Sequence, residues 1–202
     1  MPEPLRRLPQ QARSRLRFNQ ILDAAALVFE EVGYEMASTE LIAVQANTSI
    51  GSLYRFFPDK SAILHALGDR YYEELKALFD NIFHPKNIDK PLADILSEAV
   101  DLCDNFYSNN LAARIIFLQS QAFPQLQTMN RRLDNEVAVI FDTFLALRQP
   151  NVEAEQRRLM ALMVVEIASA LQLFYWNQDE QLRQKIVMET KLVLIRYLEP
   201  IF

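Results

Sequence analysis

The chain has 202 residues, half of them hydrophobic, a formal net charge of −5 and one cysteine. That length suits one large or two small domains with an ample core, and a lone Cys103 excludes an internal disulfide and a cysteine-rich metal site, in keeping with a reducing cytoplasm. Gly33, Gly51 and Gly68 are the only glycines, too few for a turn-rich β fold, so a nearly all-helical chain is expected.

Residues 1 to 12 hold three prolines and no apolar periodicity, and read as a flexible basic arm. Five arginines (Arg6, Arg7, Arg13, Arg15 and Arg17) face one acid, Glu3, within the first seventeen residues. Residues 1 to 60 carry seven basic and seven acidic side chains, so the net negative charge lies entirely beyond them. Screening confines a charge to about 10 Å, so this local basic excess is what a nucleic-acid phosphate would meet; a merely solvated tail is the alternative. The N-terminus lacks the apolar core of a signal peptide. The most apolar stretch, Leu159 to Trp176, is interrupted by Glu166, Ser169 and Gln172, so no membrane span is expected.

Phe18, Ile21, Leu22, Ala25, Val28, Phe29 and Val32 recur at helical spacing and predict an amphipathic helix closed by Gly33. Leu41, Ile42 and Ala46 mark a short second helix, and Asn47, which tolerates the left-handed conformation, marks a turn. Thr48 and Ser49 offer oxygens to the free N–H groups of a third helix, Ile50 to Phe56, which Pro58 ends. Two short helices around a tight turn have the layout of a DNA-reading helix-turn-helix. A connecting helix follows, about 59 to 80, with Ile63, Leu64, Leu67, Tyr71, Leu75, Leu78 and Phe79 apolar. Residues 81 to 91, with Pro85 and Pro91, read as a linker and put a domain boundary after residue 80. Further helices are expected at about 91–108, 110–120, 125–147, 153–176 and 180–198. The last two are apolar around most of their girth, and so belong at the centre of a bundle or against a second subunit.

This order, together with the run Ser49-x-Gly51-Ser52-Leu53-Tyr54-Arg55-Phe56-Phe57-Pro58-Asp59-Lys60, resembles the TetR family of transcriptional regulators. The specific match covers residues 15 to 68, about a quarter of the chain; the remainder agrees in length and helix layout. The resemblance implies an all-α fold of about nine helices. Residues 13–80 would form a three-helix helix-turn-helix domain with its connecting helix, and 81–202 a ligand-binding and dimerisation bundle.

Within the motif, Thr39, Thr48 and Ser49 stand at helix starts, where hydroxyls and free N–H groups suit phosphate. The alternative for Ser49 is that it only caps its helix. Gly51 would let a DNA backbone approach closely, with Ile50 and Ser52 at base edges. Tyr54 resembles the family's phosphate-binding tyrosine. Arg55 either contacts phosphate or is simply exposed, and Arg15 supplies basic charge from the N-terminal segment. Lys60 sits in the first turn of its helix, unfavourable for the dipole but useful against DNA. Leu53, Phe56 and Phe57 are core. Glu40 either accepts from a cytosine amine or favours its helix dipole, and Ala37 and Asn47 depart from the family's usual residues.

For the distal part, the resemblance implies a small-molecule site and a homodimer joined through the last two helices. Phe106, Phe117, Phe141 and Phe144 could line a cavity, with Glu166, Ser169 and Gln172 as its polar groups; the alternative is phenylalanines in the core and a polar stripe at a dimer seam. Glu166 in such a cavity would favour a cationic or hydroxylated apolar effector. The expected function is a cytoplasmic homodimeric repressor, released from a pseudo-palindromic DNA operator by an apolar or amphipathic small molecule. Control by a protein partner without an inducer is the alternative. No cofactor, metal or enzymatic activity is expected: His65 and His84 stand apart without a nucleophile, and Cys103 reads as a buried, inert thiol.

Overall fold

The structure, a computed structural model, describes residues 11 to 199, so Arg6, Arg7 and most of the expected basic arm lie outside the described residues. Among those described there are nine α-helices, one short 3₁₀ turn at Pro85–Asn87 and no strand. The helices are α1 (Ala12–Met36), α2 (Thr39–Gln45), α3 (Ile50–Tyr54), α4 (Lys60–Ile82), α5 (Leu92–Asn109), α6 (Leu111–Gln119), α7 (Pro124–Arg148), α8 (Ala154–Tyr175) and α9 (Glu180–Leu198).

Local chemistry sets most of these boundaries. Gly33, at φ 75°, breaks α1 three residues before its end, and Asn47 at φ 47° makes the turn between α2 and α3. Ser38, Ser49, Asp59, Glu153 and Asp179 each accept a hydrogen bond from the backbone N–H three residues on, capping α2, α3, α4, α8 and α9. α3 ends two residues earlier than its sequence suggests. The Phe56 and Phe57 amides both close on the Leu53 carbonyl at 3.0 Å, which turns their rings inward. There Phe57 stacks on Phe18 with centroids 4.9 Å apart.

The chain forms two compact units. Among the described residues, one comprises 11–71 together with Asn110–Leu126; the other is Tyr72–Asn109 with 127–199. The change therefore falls inside α4, not after residue 80, and α6 joins the N-terminal unit. The reason is tertiary. The Glu30 carboxylate on α1 accepts from the Ala112 amide at 3.0 Å, a cap that the Asn110 side chain does not supply. Phe123 meets the edge of Tyr34 at 5.3 Å. α6 buries Ala112, Ala113, Ile116 and Phe117.

In the C-terminal unit, Phe83 lies between Phe141 (4.8 Å) and Phe144 (5.9 Å). Ion pairs fasten the helices around that core: Arg183 of α9 to Asp104 of α5, Lys191 to Asp101 at 2.5 Å, and Arg157 of α8 to Asp142 of α7 at 2.7 Å. Contrary to the sequence reading, α8 is long and apolar enough to cross a membrane by length and composition, with a mean hydropathy of 1.5 over its most apolar window. In this unit it packs along α9.

Candidate nucleic-acid interface

α2 packs on both α1 and α3 and buries Thr39, Ile42 and Ala43; α3 buries only Leu53. The rest of α3 faces outward: Ile50, Gly51, Tyr54 and the following Arg55 are exposed and Ser52 is half-buried. Ile50, Gly51 and Ser52 occupy consecutive positions of one helical turn. A Cβ built on Gly51 would meet nothing within 4 Å, and its φ is not positive. The protein's own packing and backbone therefore give no reason for glycine there, although glycine costs about 0.5–1 kcal/mol in a helix relative to alanine.

The hydroxyls expected at phosphate divide into two groups. Ser49 is exposed, and its Oγ accepts from the Ser52 amide at 3.2 Å. Thr48 does not share that capping role: its Oγ1 is buried with no hydrogen-bond partner, and its amide donates to the Ala43 carbonyl at 3.0 Å. Thr39 is also buried, its Oγ1 3.0 Å from the Tyr54 hydroxyl and 3.4 Å from the Glu40 carboxylate. The cap of α2 is Ser38, one residue before Thr39, whose Oγ accepts from Leu41 at 3.2 Å. A serine followed by a helical run was the sequence signal for it. Glu40 is exposed, and its carboxyl is held below the usual range, first by its own backbone N–H, then by the Ser38 hydroxyl.

Lys60 is committed to the fold. Its Nζ donates to the Tyr34 carbonyl at 2.7 Å and the Glu35 carbonyl at 3.2 Å, and lies 4.4 Å from the centroid of the Tyr34 ring. An ammonium is unfavourable at the start of its own helix, but here it satisfies free carbonyls at the end of α1. Burial, opposed by Asp69 and Asp59, lowers the pKa of His65, so at neutral pH the ring is neutral and a poor phosphate ligand. Arg13, Arg15 and Arg17 are exposed along the start of α1.

Phe117 is buried in the N-terminal unit, whereas Phe106 and Phe141 are buried in the other. Phe106 meets Tyr107 edge-on at 5.3 Å. Glu166 is exposed on a face of α8 that also carries Leu159, Leu162, Met163 and Phe174, all exposed. Ser169 donates to Asp134 of α7 at 3.2 Å, and Gln172, buried, donates to Tyr175 at 3.3 Å. Sequence reasoning passed over Asp134. Burial, reinforced by Glu166 and opposed by the Ser169 bond, pushes its carboxyl up to about 7. Burial also pushes the Cys103 thiol up to about 12, which keeps it neutral. Among the described residues no group of three or more His, Cys, Asp or Glu is placed to hold a metal ion.

Two family models match the chain: that of the bacterial regulatory proteins, tetR family, over residues 21–67, and that of the tetracyclin repressor-like C-terminal domain over residues 91–198. The HTH-type transcriptional repressor KstR of Mycolicibacterium smegmatis is 35% identical over 66 residues, which is 33% of this chain but only 32% of that protein. The match to this relative thus spans about a third of its length. The HTH-type transcriptional regulator BetI of Yersinia pestis is 27% identical over 192 residues, 87% of this chain and 91% of BetI. A crystal structure of a TetR-family transcriptional regulator from Streptomyces coelicolor superposes with a TM-score of 0.65 at 26% identity, over 94% of this chain and 99% of that one.

Proposed function

The chain belongs to the TetR family and is a DNA-binding regulator of transcription, not an enzyme; from that premise we propose that it is a cytoplasmic homodimeric repressor whose α3 helices read a pseudo-palindromic operator and release it when a small molecule binds. The observation that carries the DNA-reading surface is Gly51: exposed, sterically unconstrained and conformationally ordinary, it is accounted for by a DNA backbone approaching to within the space of a methyl group. Ile50 and Ser52 beside it contact base edges. Ser49, Tyr54, Arg55 and Arg15 hold phosphates. Lys60, Thr39 and Thr48 support the frame from within.

Two copies place their α3 helices in successive major grooves about 34 Å apart. The exposed apolar faces of α8 (Leu159, Met163, Phe174) and α9 (Met188, Leu192, Val193) support a dimer through these helices. An effector held in the C-terminal unit acts through α4, a single helix shared by both units. If it prefers the non-DNA form by 1–3 kcal/mol, operator affinity falls about 5- to 150-fold. The half-buried Asp134 and Ser169 and the buried Gln172 support an effector with at least one polar group.

Selection of bound sequences from a random DNA pool, followed by titration of the selected duplex, tests this reading. A two-fold-related consensus bound with strong salt dependence is expected. Enrichment of no sequence, or of one without two-fold relation, overturns it. A metabolite screen for release of the selected duplex then separates a small-molecule effector from control by a protein partner.

A further inference from the structure

The Thr39–Tyr54 pair lies fifteen residues apart in sequence and joins the first residue of α2 to the last of α3. Thr39 Oγ1 also lies 3.4 Å from Glu40 Oε2, longer than an ideal O–H···O bond but with an acceptor that has no proton of its own when ionised. Each hydroxyl has one proton. With Glu40 ionised, Thr39 donates to the carboxylate and Tyr54 donates to Thr39, so the phenolic proton points inward. A phosphate beside Tyr54 extends the series of oxygens to Glu40, Thr39, Tyr54 and phosphate. Three links then share two protons, and one link must go without.

We propose that Glu40, acting through Thr39, is a positioning residue that sets whether Tyr54 can donate to a DNA phosphate, and that this acid weakens DNA binding by holding the Tyr54 proton inward. The inference rests on the phosphate role of Tyr54 stated above. Glu40→Gln supplies the missing proton: its amide donates to Thr39, Thr39 donates to Tyr54, and Tyr54 donates to phosphate. Removing the carboxylate also lifts a charge repulsion. That effect does not pass through Tyr54, so a double-mutant cycle separates the two.

The experiment measures binding of the full chain to a mixed-sequence duplex, because a phosphate contact acts on all sequences alike. The proteins are wild type, Glu40→Gln, Tyr54→Phe and the double variant, with thermal melts to confirm folding. Glu40→Gln is expected to tighten binding about five- to tenfold, the equivalent of one hydrogen bond. Tyr54→Phe should cost less in wild type than in the Glu40→Gln background, where it should remove most of that gain. Thr39→Val should reduce the effect of Glu40→Gln to the part that comes from charge repulsion, and Thr39→Ser should restore the rest. If Tyr54→Phe costs the same in both backgrounds, Tyr54 reaches phosphate but Glu40 does not control it, and the inference fails alone. Should Tyr54→Phe be neutral in both, the phosphate role of Tyr54 fails with it.

Discussion

Lys60 shows how one side chain invites two explanations. In sequence, a cation in the first turn of a helix is a local conflict, and proximity to a DNA-binding motif suggests that phosphate resolves it. In the structure the conflict is resolved internally, by two carbonyls and an aromatic face at the end of α1. Lys60→Met should therefore destabilise the protein by about 1–2 kcal/mol, read in urea unfolding, through two lost hydrogen bonds and a cation–π contact. Asp134 makes a second prediction, on pH. Its folded pKa of about 7 lies above its ordinary 3.8, so the folded state holds the proton more tightly. The stability it contributes is complete below about pH 4 and lost as pH rises through about 7. Asp134→Asn should thus raise stability by roughly 1–3 kcal/mol at pH about 8 and change little at pH about 4, at fixed protein concentration. A gain equal at both values would contradict the assignment. Neither residue's environment was legible beforehand, because Tyr34 and Ser169 approach from 26 and 35 residues away.

The helices were far more legible. Expected segments at 91–108, 110–120, 125–147, 153–176 and 180–198 appear as α5 to α9 within a residue or so at each end, because periodicity, capping side chains and proline act within one or two turns. Faces were read less well than lengths. Leu159, Leu162, Met163 and Phe174 of α8 are exposed, while Met160, Ala161, Val164 and Val165 are buried. A helix apolar on most sides gives no local indication of which side meets its neighbours. At this scale α3 gives the sharpest prediction. Gly51→Ala should stabilise the fold by about 0.5–1 kcal/mol, since the space is open and alanine is the better helix former, yet weaken DNA binding by about tenfold or more. Melting temperature and operator affinity would thus move in opposite directions. If both rise, Gly51 is not a site of close approach.

For the whole molecule, the two-unit division and the exposed faces of α8 and α9 lead to a prediction about assembly. Phe174, 53% exposed, should tolerate Phe174→Glu without loss of folding, while sedimentation shifts from dimer to monomer and operator affinity falls. An unchanged dimer would place the interface elsewhere. By itself the sequence determined the helical class, the turn at Asn47, the helix-turn-helix and the family it resembles, since all of these depend on residues a few positions apart. Tertiary structure alone decided that α6 joins the N-terminal unit under the Glu30 cap, that Lys60 serves the end of α1, and that Thr39 and Tyr54 share a hydrogen bond. Those outcomes depend on which groups folding brings within about 3 Å of one another, and hydrogen bonds require that proximity.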